Sequence, residues 1–260
     1  MPNTKYWEDL GRLLNRDLEG KRNIITYISG CMRDQCSLKK IREESKSYRD
    51  GAAQNLAKLG IKFSQSNLLW KDDDYDRMVY QILSSDVVYL LGGNPMQQMK
   101  FISDHNLKFV LQDYSGIIIG VSSGAMTMSS KIILPACGEV YPENTMLDGI
   151  DLFGISVFPH FDYHSADESL TVKDGVVQMD DLRKLSQFGD IIGLPNESIL
   201  RCAEDGICAI GDMPSLLIDG EIKQFDIISD QVDDVKVKKL VYGSCKNNMR
   251  KEFSIKPYEL

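Results

Sequence analysis

Val87-Val88-Tyr89-Leu90-Leu91-Gly92-Gly93-Asn94-Pro95 is an unbroken apolar run that ends in a glycine turn, followed by a proline able to take the first position of a helix. Ile117-Ile118-Ile119-Gly120-Val121 repeats the design, with a second glycine turn behind it. Continuous apolar runs suit strands covered on both faces, as in a parallel sheet between helices. Outward from this pair, Tyr6, Leu10, Leu13, Leu14 and Leu18 recur at helical spacing and stop at Gly20, so residues 5–19 read as an amphipathic helix. Asn23 to Ser29 reads as a buried strand. Tyr48, Ala52, Leu56 and Leu59 form another helical stripe closed by Gly60, and Ile61-Lys62-Phe63 reads as a short strand. Asp72, Asp73 and Asp74 place negative charge where a helix dipole favours it, ahead of Tyr75, Met78, Val79, Ile82 and Leu83. Helical residues after Pro95 extend to about Tyr114. This alternation predicts an α/β fold with a mainly parallel sheet flanked by helices.

The rhythm changes towards the C-terminus. Ile199 to Ile210 contains Asp205-Gly206 and Leu216 to Phe225 contains Asp219-Gly220, each between strand-like residues, which predicts antiparallel hairpins there. Residues 1–225 are expected to form one α/β domain, and residues 226–260 an extension docked on it. The chain has 260 residues, 43% apolar and 26% charged, enough for a sizeable core. A formal charge of −8 with scattered Lys and Arg argues against nucleic acid as a partner, since phosphate binding needs a concentrated basic face. No apolar run approaches the roughly 20 residues of a membrane span. The N-terminus lacks a basic stretch leading into an apolar one, so a cytoplasmic location is expected. Six dispersed cysteines without a CxxC pair, and three histidines, fit reduced thiols rather than zinc. No metal and no cofactor are expected.

Gly120-Val121-Ser122-Ser123-Gly124 lies where a strand meets a helix, and its glycines permit the sharp turn that lifts a serine above a sheet. The structural alternative is a serine capping the helix over Gly124 to Ser130. A serine nucleophile needs a base, and only His105, His160 and His164 are available. His105 falls in a polar helix or helix end, whereas His160 follows the apolar stretch Ile155 to Phe158 and would be held at the mouth of a strand. An α/β-hydrolase would place its histidine near the chain end, and no histidine follows residue 164. Gly92-Gly93-Asn94, at the end of the neighbouring strand, has amides able to join that of Ser123 in holding an oxyanion.

Four segments in order carry a family resemblance: Leu91-Gly92-Gly93-Asn94, Ile119-Gly120-Val121-Ser122-Ser123-Gly124-Ala125, Gly149-Ile150-Asp151-Leu152-Phe153 leading to Phe158-Pro159-His160-Phe161, and Ile192-Gly193-Leu194-Pro195. Over about residues 5–225 the chain resembles the peptidase E and cyanophycinase family of serine peptidases. The resemblance implies a flavodoxin-like sheet similar to the class I glutamine amidotransferases. It also implies hydrolysis of short peptides, with Ser122 as nucleophile, His160 as general base, and the amides of Gly93 and Ser123 as oxyanion hole. The family usually opens with a strand that this sequence does not show ahead of its first helix. For the third member, some relatives place an acid between serine and histidine, where this chain has Cys137, Gly138 and Glu139. Others use the segment after Gly193, where it has Asn196 and then Glu197. Asn196 occupies the motif position and is the expected partner of His160, with Glu197 and Glu139 as alternatives. Relatives that cleave after aspartate use an arginine downstream of the histidine. Asp167 to Val177 contains Lys173 and no arginine, so aspartyl specificity is not implied. Two further readings differ in class: a catalytically weak binding or interaction module, and a glutaminase, which would need cysteine where Ser122 stands.

Overall fold

The computed structural model describes residues 4–31, 36–152, 154–164, 168–172, 175–203, 206–224 and 256–257. Its first half alternates helix and strand: α1 (Thr4–Asp17), β1 (Ile24–Gly30), α2 (Leu38–Lys58), β2 (Gln65–Leu68), α3 (Tyr75–Leu83), β3 (Val87–Gly93), α4 (Pro95–Asp104), α5 (Leu107–Asp113), β4 (Ile117–Gly120) and α6 (Ser123–Met128). Strands β2, β1, β3 and β4 lie side by side in that order, all parallel. The centres of these strands are buried, with Val87, Val88, Leu90 and Ile118 wholly inaccessible to solvent. Both faces are covered by helices, which is why the runs are continuously apolar rather than alternating.

Local chemistry sets the helix starts. The Asp74 carboxylate accepts from the Arg77 N–H at 2.8 Å, and Asn94 accepts from Gln97 N–H at 3.1 Å with Pro95 in the first turn. The helical stretch up to Tyr114 is broken by Asn106, whose left-handed backbone (φ 53°) separates α4 from α5. One expected strand is absent. Ile61 is buried and its N–H closes onto the Leu56 carbonyl at 2.9 Å, so Ile61-Lys62-Phe63 ends α2, and the strand is the polar Gln65–Leu68.

The second half comprises β5 (Lys131–Leu134), β6 (Thr145–Asp148), β7 (Ser156–Pro159), β8 (Ser169–Val172), β9 (Gly175–Gln178), α7 (Met179–Leu185), β10 (Ile191–Leu194), β11 (Ser198–Ala203), β12 (Gly206–Gly211), β13 (Ser215–Ile218), β14 (Glu221–Gln224) and β15 (Lys256–Pro257). Strands β7 and β10 pair in parallel, and β13 and β14 extend that sheet antiparallel. The hairpins expected around Asp205-Gly206 and Asp219-Gly220 are β11 with β12 and β13 with β14. The extension over residues 226–260 lies outside the described residues, apart from Lys256–Pro257, which pair in parallel with β12. No helix among the described residues is long and apolar enough to cross a membrane.

One buried ion pair ties the N-terminal helix to the last hairpins. Arg201 Nε of β11 donates to Asp17 Oδ2 of α1 at 3.1 Å, both side chains 3% exposed. Arg201→Met should destabilise the fold in urea denaturation, by less than the about 3–5 kcal/mol of a wholly unpaired buried charge because Arg16 still donates to Asp17 Oδ1 at 3.2 Å, and adding Asp17→Leu should recover most of that loss. Equal destabilisation by the single and double variants would refute this account.

Candidate active site

The parallel register of β3 with β4 sets Leu90 beside Gly120, so the turns that follow, Gly92-Gly93 and Val121-Ser122, leave the sheet at the same edge. Two glycines let α6 begin hard against β3. A Cβ on Gly124 would collide with the Leu90 carbonyl oxygen, and one on Gly120 would collide with Met128 Sδ. Between them Ser122 adopts φ 53°, ψ −115°, a conformation that costs an L-residue about 1–3 kcal/mol and that clusters at functional sites. Ser122 stands at the helix N-cap yet makes no capping bond with its side chain, which removes the structural alternative. Its Oγ lies 2.9 Å from His160 Nε2 instead.

His160 leaves β7 directly, with a left-handed backbone (φ 61°) that swings its ring over the sheet edge. The β7 and β10 register sets Pro159 beside Leu194, and this brings Asn196 to the imidazole. Asn196 Oδ1 lies 2.8 Å from His160 Nδ1. Asn196 is held in turn by Asp162, whose Oδ1 accepts from the Asn196 backbone N–H at 2.8 Å and whose Oδ2 accepts from Asn196 Nδ2. The chain crosses between these residues on Phe161, which is buried against Gly193 so closely that a Cβ there would fall 2.5 Å from the ring.

The sequence motifs do not single out Asp162. The one available signal is its position two residues after His160, beyond an apolar residue. The remaining expected residues are spread more widely. Glu197 follows Asn196 with a left-handed backbone (φ 54°), and its charge adds to burial in pushing the Tyr6 phenol up to about 12. Glu139 is exposed in the turn between Cys137 and Tyr141, while the Nδ1 side of His160 is occupied by Asn196. His164 is exposed, and His105 bonds the carbonyls of Phe101 and Lys71 at the end of α4. Among the described residues Cys31, Cys36, Cys137 and Cys202 are in no disulfide. Among the described residues no group of three or more His, Cys, Asp or Glu could hold a metal ion.

The family model for peptidase family S51 matches residues 40–210, well over half of the chain. The chain belongs to peptidase family S51. This S51 peptidase is accordingly a serine-type hydrolase, which sets the enzyme reading above that of a binding module. A 1.5 Å crystal structure of a candidate peptidase E protein from Listeria monocytogenes EGD-e is similar over 80% of this chain and 96% of that one. Its TM-score is 0.55 and its identity 15%, a likeness that shows the fold. A search of curated proteins finds no match.

Ser122 and His160 of the S51 peptidase stand between two cavities. The larger, about 540 Å³, is walled by Tyr48, Leu91, Met126, Leu134, Phe158 and Val177, with Gly92, Gly93 and Ser123 at its rim. None of the described residues lining it is Asp, Glu, Lys or Arg. The smaller, about 280 Å³, lies towards Trp7, Leu10, Asn196 and Glu197. Tyr89 lines both, and burial, helped by the neighbouring Tyr27 and Tyr6 rings, raises its phenol so far that it stays neutral.

Proposed function

We propose that the protein hydrolyses short peptides through an acyl-enzyme formed on Ser122. The observation that carries this reading is the 2.9 Å approach of Ser122 Oγ to His160 Nε2 from a strained strand-to-helix turn. His160 Nε2 takes the hydroxyl proton as Oγ attacks the scissile carbonyl, and the protonated ring then gives that proton to the departing amine. Water deacylates the enzyme by the same steps in reverse. The N–H of Ser123, one of the first-turn donors of α6 that no helical carbonyl can satisfy, and that of Gly93 are the proposed oxyanion donors. Gly93 suits this place because its backbone (φ 141°) runs so close to Gly30 that a Cβ would meet the Gly30 carbonyl carbon at 2.9 Å.

The cleft supports both parts of the substrate assignment. A volume of about 540 Å³ matches a few residues rather than a folded chain, and its apolar walls favour an uncharged side chain on the acyl side of the scissile bond. A carboxylate there would be desolvated with no Lys or Arg among the described lining residues to pair with it. Lys173 lies outside the described residues. Chromogenic peptides with Leu, Met or Phe on the acyl side should therefore be turned over at least about tenfold faster, by kcat/KM, than those with Asp. A preference for Asp that disappears in Lys173→Ala would overturn the assignment. The mechanism has its own test: a fluorophosphonate probe should label the wild-type protein at Ser122, and labelling elsewhere or none would defeat it.

A further inference from the structure

We infer that Asp162 is a positioning residue that holds Asn196 with its carbonyl oxygen towards His160 and thereby decides which ring nitrogen of His160 is free to act as base. The inference rests on the proposed pairing of Ser122 with His160. It concerns a problem that a neutral third member creates. A carboxylate beside Nδ1 can only accept, so it always selects the ring form with its proton on Nδ1. An amide has an accepting end and a donating end of nearly the same shape, and either could face the ring. If Asn196 presented Nδ2, it would donate to Nδ1 and force the ring proton onto Nε2. The nitrogen 2.9 Å from Ser122 Oγ would then be a donor and could not take the serine proton.

Asp162 removes this ambiguity. Both of its oxygens are engaged by the same residue, Oδ1 by the Asn196 backbone N–H at 2.8 Å and Oδ2 by Asn196 Nδ2. An ionised carboxylate has no proton to give, so Nδ2 must face it, and Oδ1 is left facing His160 Nδ1 at 2.8 Å. Turning the amide over would set its oxygen against a carboxylate oxygen and lose a charge-assisted bond. The order of donors then runs one way: Asn196 Nδ2 to Asp162, His160 Nδ1 to Asn196, Ser122 Oγ to His160 Nε2. The carboxylate also places a negative charge behind the amide, where it favours the imidazolium formed when the serine proton moves.

The geometry further implies that Asn196→Asp is harmful, although a carboxylate is the more usual third member of such a triad, because it would set two carboxylates against each other with no proton donor between them. Exchanging the two side chains solves this. In Asp162→Asn/Asn196→Asp the carboxylate lies directly on His160. The amide introduced at position 162 can then donate an N–H to that carboxylate while its oxygen accepts the backbone N–H of position 196.

The experiment compares wild type, Asp162→Asn, Asn196→Asp and the exchanged double variant by peptide turnover and by nitrogen-15 NMR of the neutral His160 ring. Wild type should show the proton on Nδ1. Asp162→Asn should give a mixture of the two ring forms and a kcat lower by about 10- to 100-fold with KM little changed, the scale on which partners of a ligating or catalytic histidine act. Asn196→Asp should lose turnover to a similar degree. The exchanged variant should regain kcat to within a fewfold of wild type and restore the Nδ1 proton. An unchanged ring form in Asp162→Asn, or an exchanged variant no better than the product of its single losses, would overturn the role of Asp162. The NMR arm needs no turnover, so loss of the Asp162 effect and failure of the hydrolytic mechanism are read separately.

Discussion

Ser122→Ala should lower peptide turnover by about 10⁴-fold or more, because a nucleophile and its base act as a unit and the remaining site retains only binding and oxyanion stabilisation. The fold should be untouched. The turn is built by the close packing of Gly120 and Gly124 on Met128 and Leu90, and the Ser122 hydroxyl contributes no capping bond to α6. Alanine inherits the same left-handed backbone and the same strain, so the melting temperature should stay within a degree or two of wild type. Fluorophosphonate labelling should vanish with turnover. Ser123→Ala is the control, since only its backbone amide is assigned a part and its Oγ makes a long 3.5 Å contact with the Leu91 carbonyl. Ser122→Ala with wild-type kcat/KM on any peptide the parent cleaves would end the assignment.

His160→Ala should match that loss, and Ser122→Ala/His160→Ala should be no worse than either single change. A double variant showing the product of the two losses would mean that the residues act independently, against the direct contact between them. His164→Ala should cost less than about fivefold, as expected for an exposed side chain. Glu139→Gln and Glu197→Gln belong in the same series and should stay within about twofold, because the Nδ1 side of His160 is already occupied by Asn196. A collapse confined to Glu139→Gln would move the third member to the segment between Ser122 and His160. Steady-state kinetics on one well-cleaved peptide decides all of these.

The strands that carry the site were legible because a strand covered on both faces has no polar side to present, and Val87 to Leu91 and Ile117 to Ile119 record this as unbroken apolar runs. Edge strand β2 left no such record. Gln65 and Ser66 are exposed, so nothing in their chemistry distinguishes them from a loop, and the apolar Ile61 nearby drew the strand assignment although its burial belongs to the end of α2. The hairpins β11 with β12 and β13 with β14 were legible through an Asp-Gly pair in the sequence of each, and at Asp219-Gly220 both residues have the left-handed backbone such a turn needs.

By itself the sequence marked the strand-to-helix turn at Ser122, since glycines at 120 and 124 let a helix start against a strand, and it pointed to His160, which follows a buried strand, as the histidine to meet it. It also named Asn196, which the fold sets beside the His160 ring. It favoured Asn196 over Glu197 and Glu139 only by motif position, and it gave no sign that Asp162 stands behind the amide. Those outcomes depend on the parallel register of β7 with β10 and on left-handed turns at His160 and Glu197, which bring together the ends of two strands far apart in the chain. The contact between Asp162 and Asn196 spans 34 positions. Hydrogen-bond direction is a property of donors and acceptors within about 3 Å of each other, and only the folded chain sets that distance.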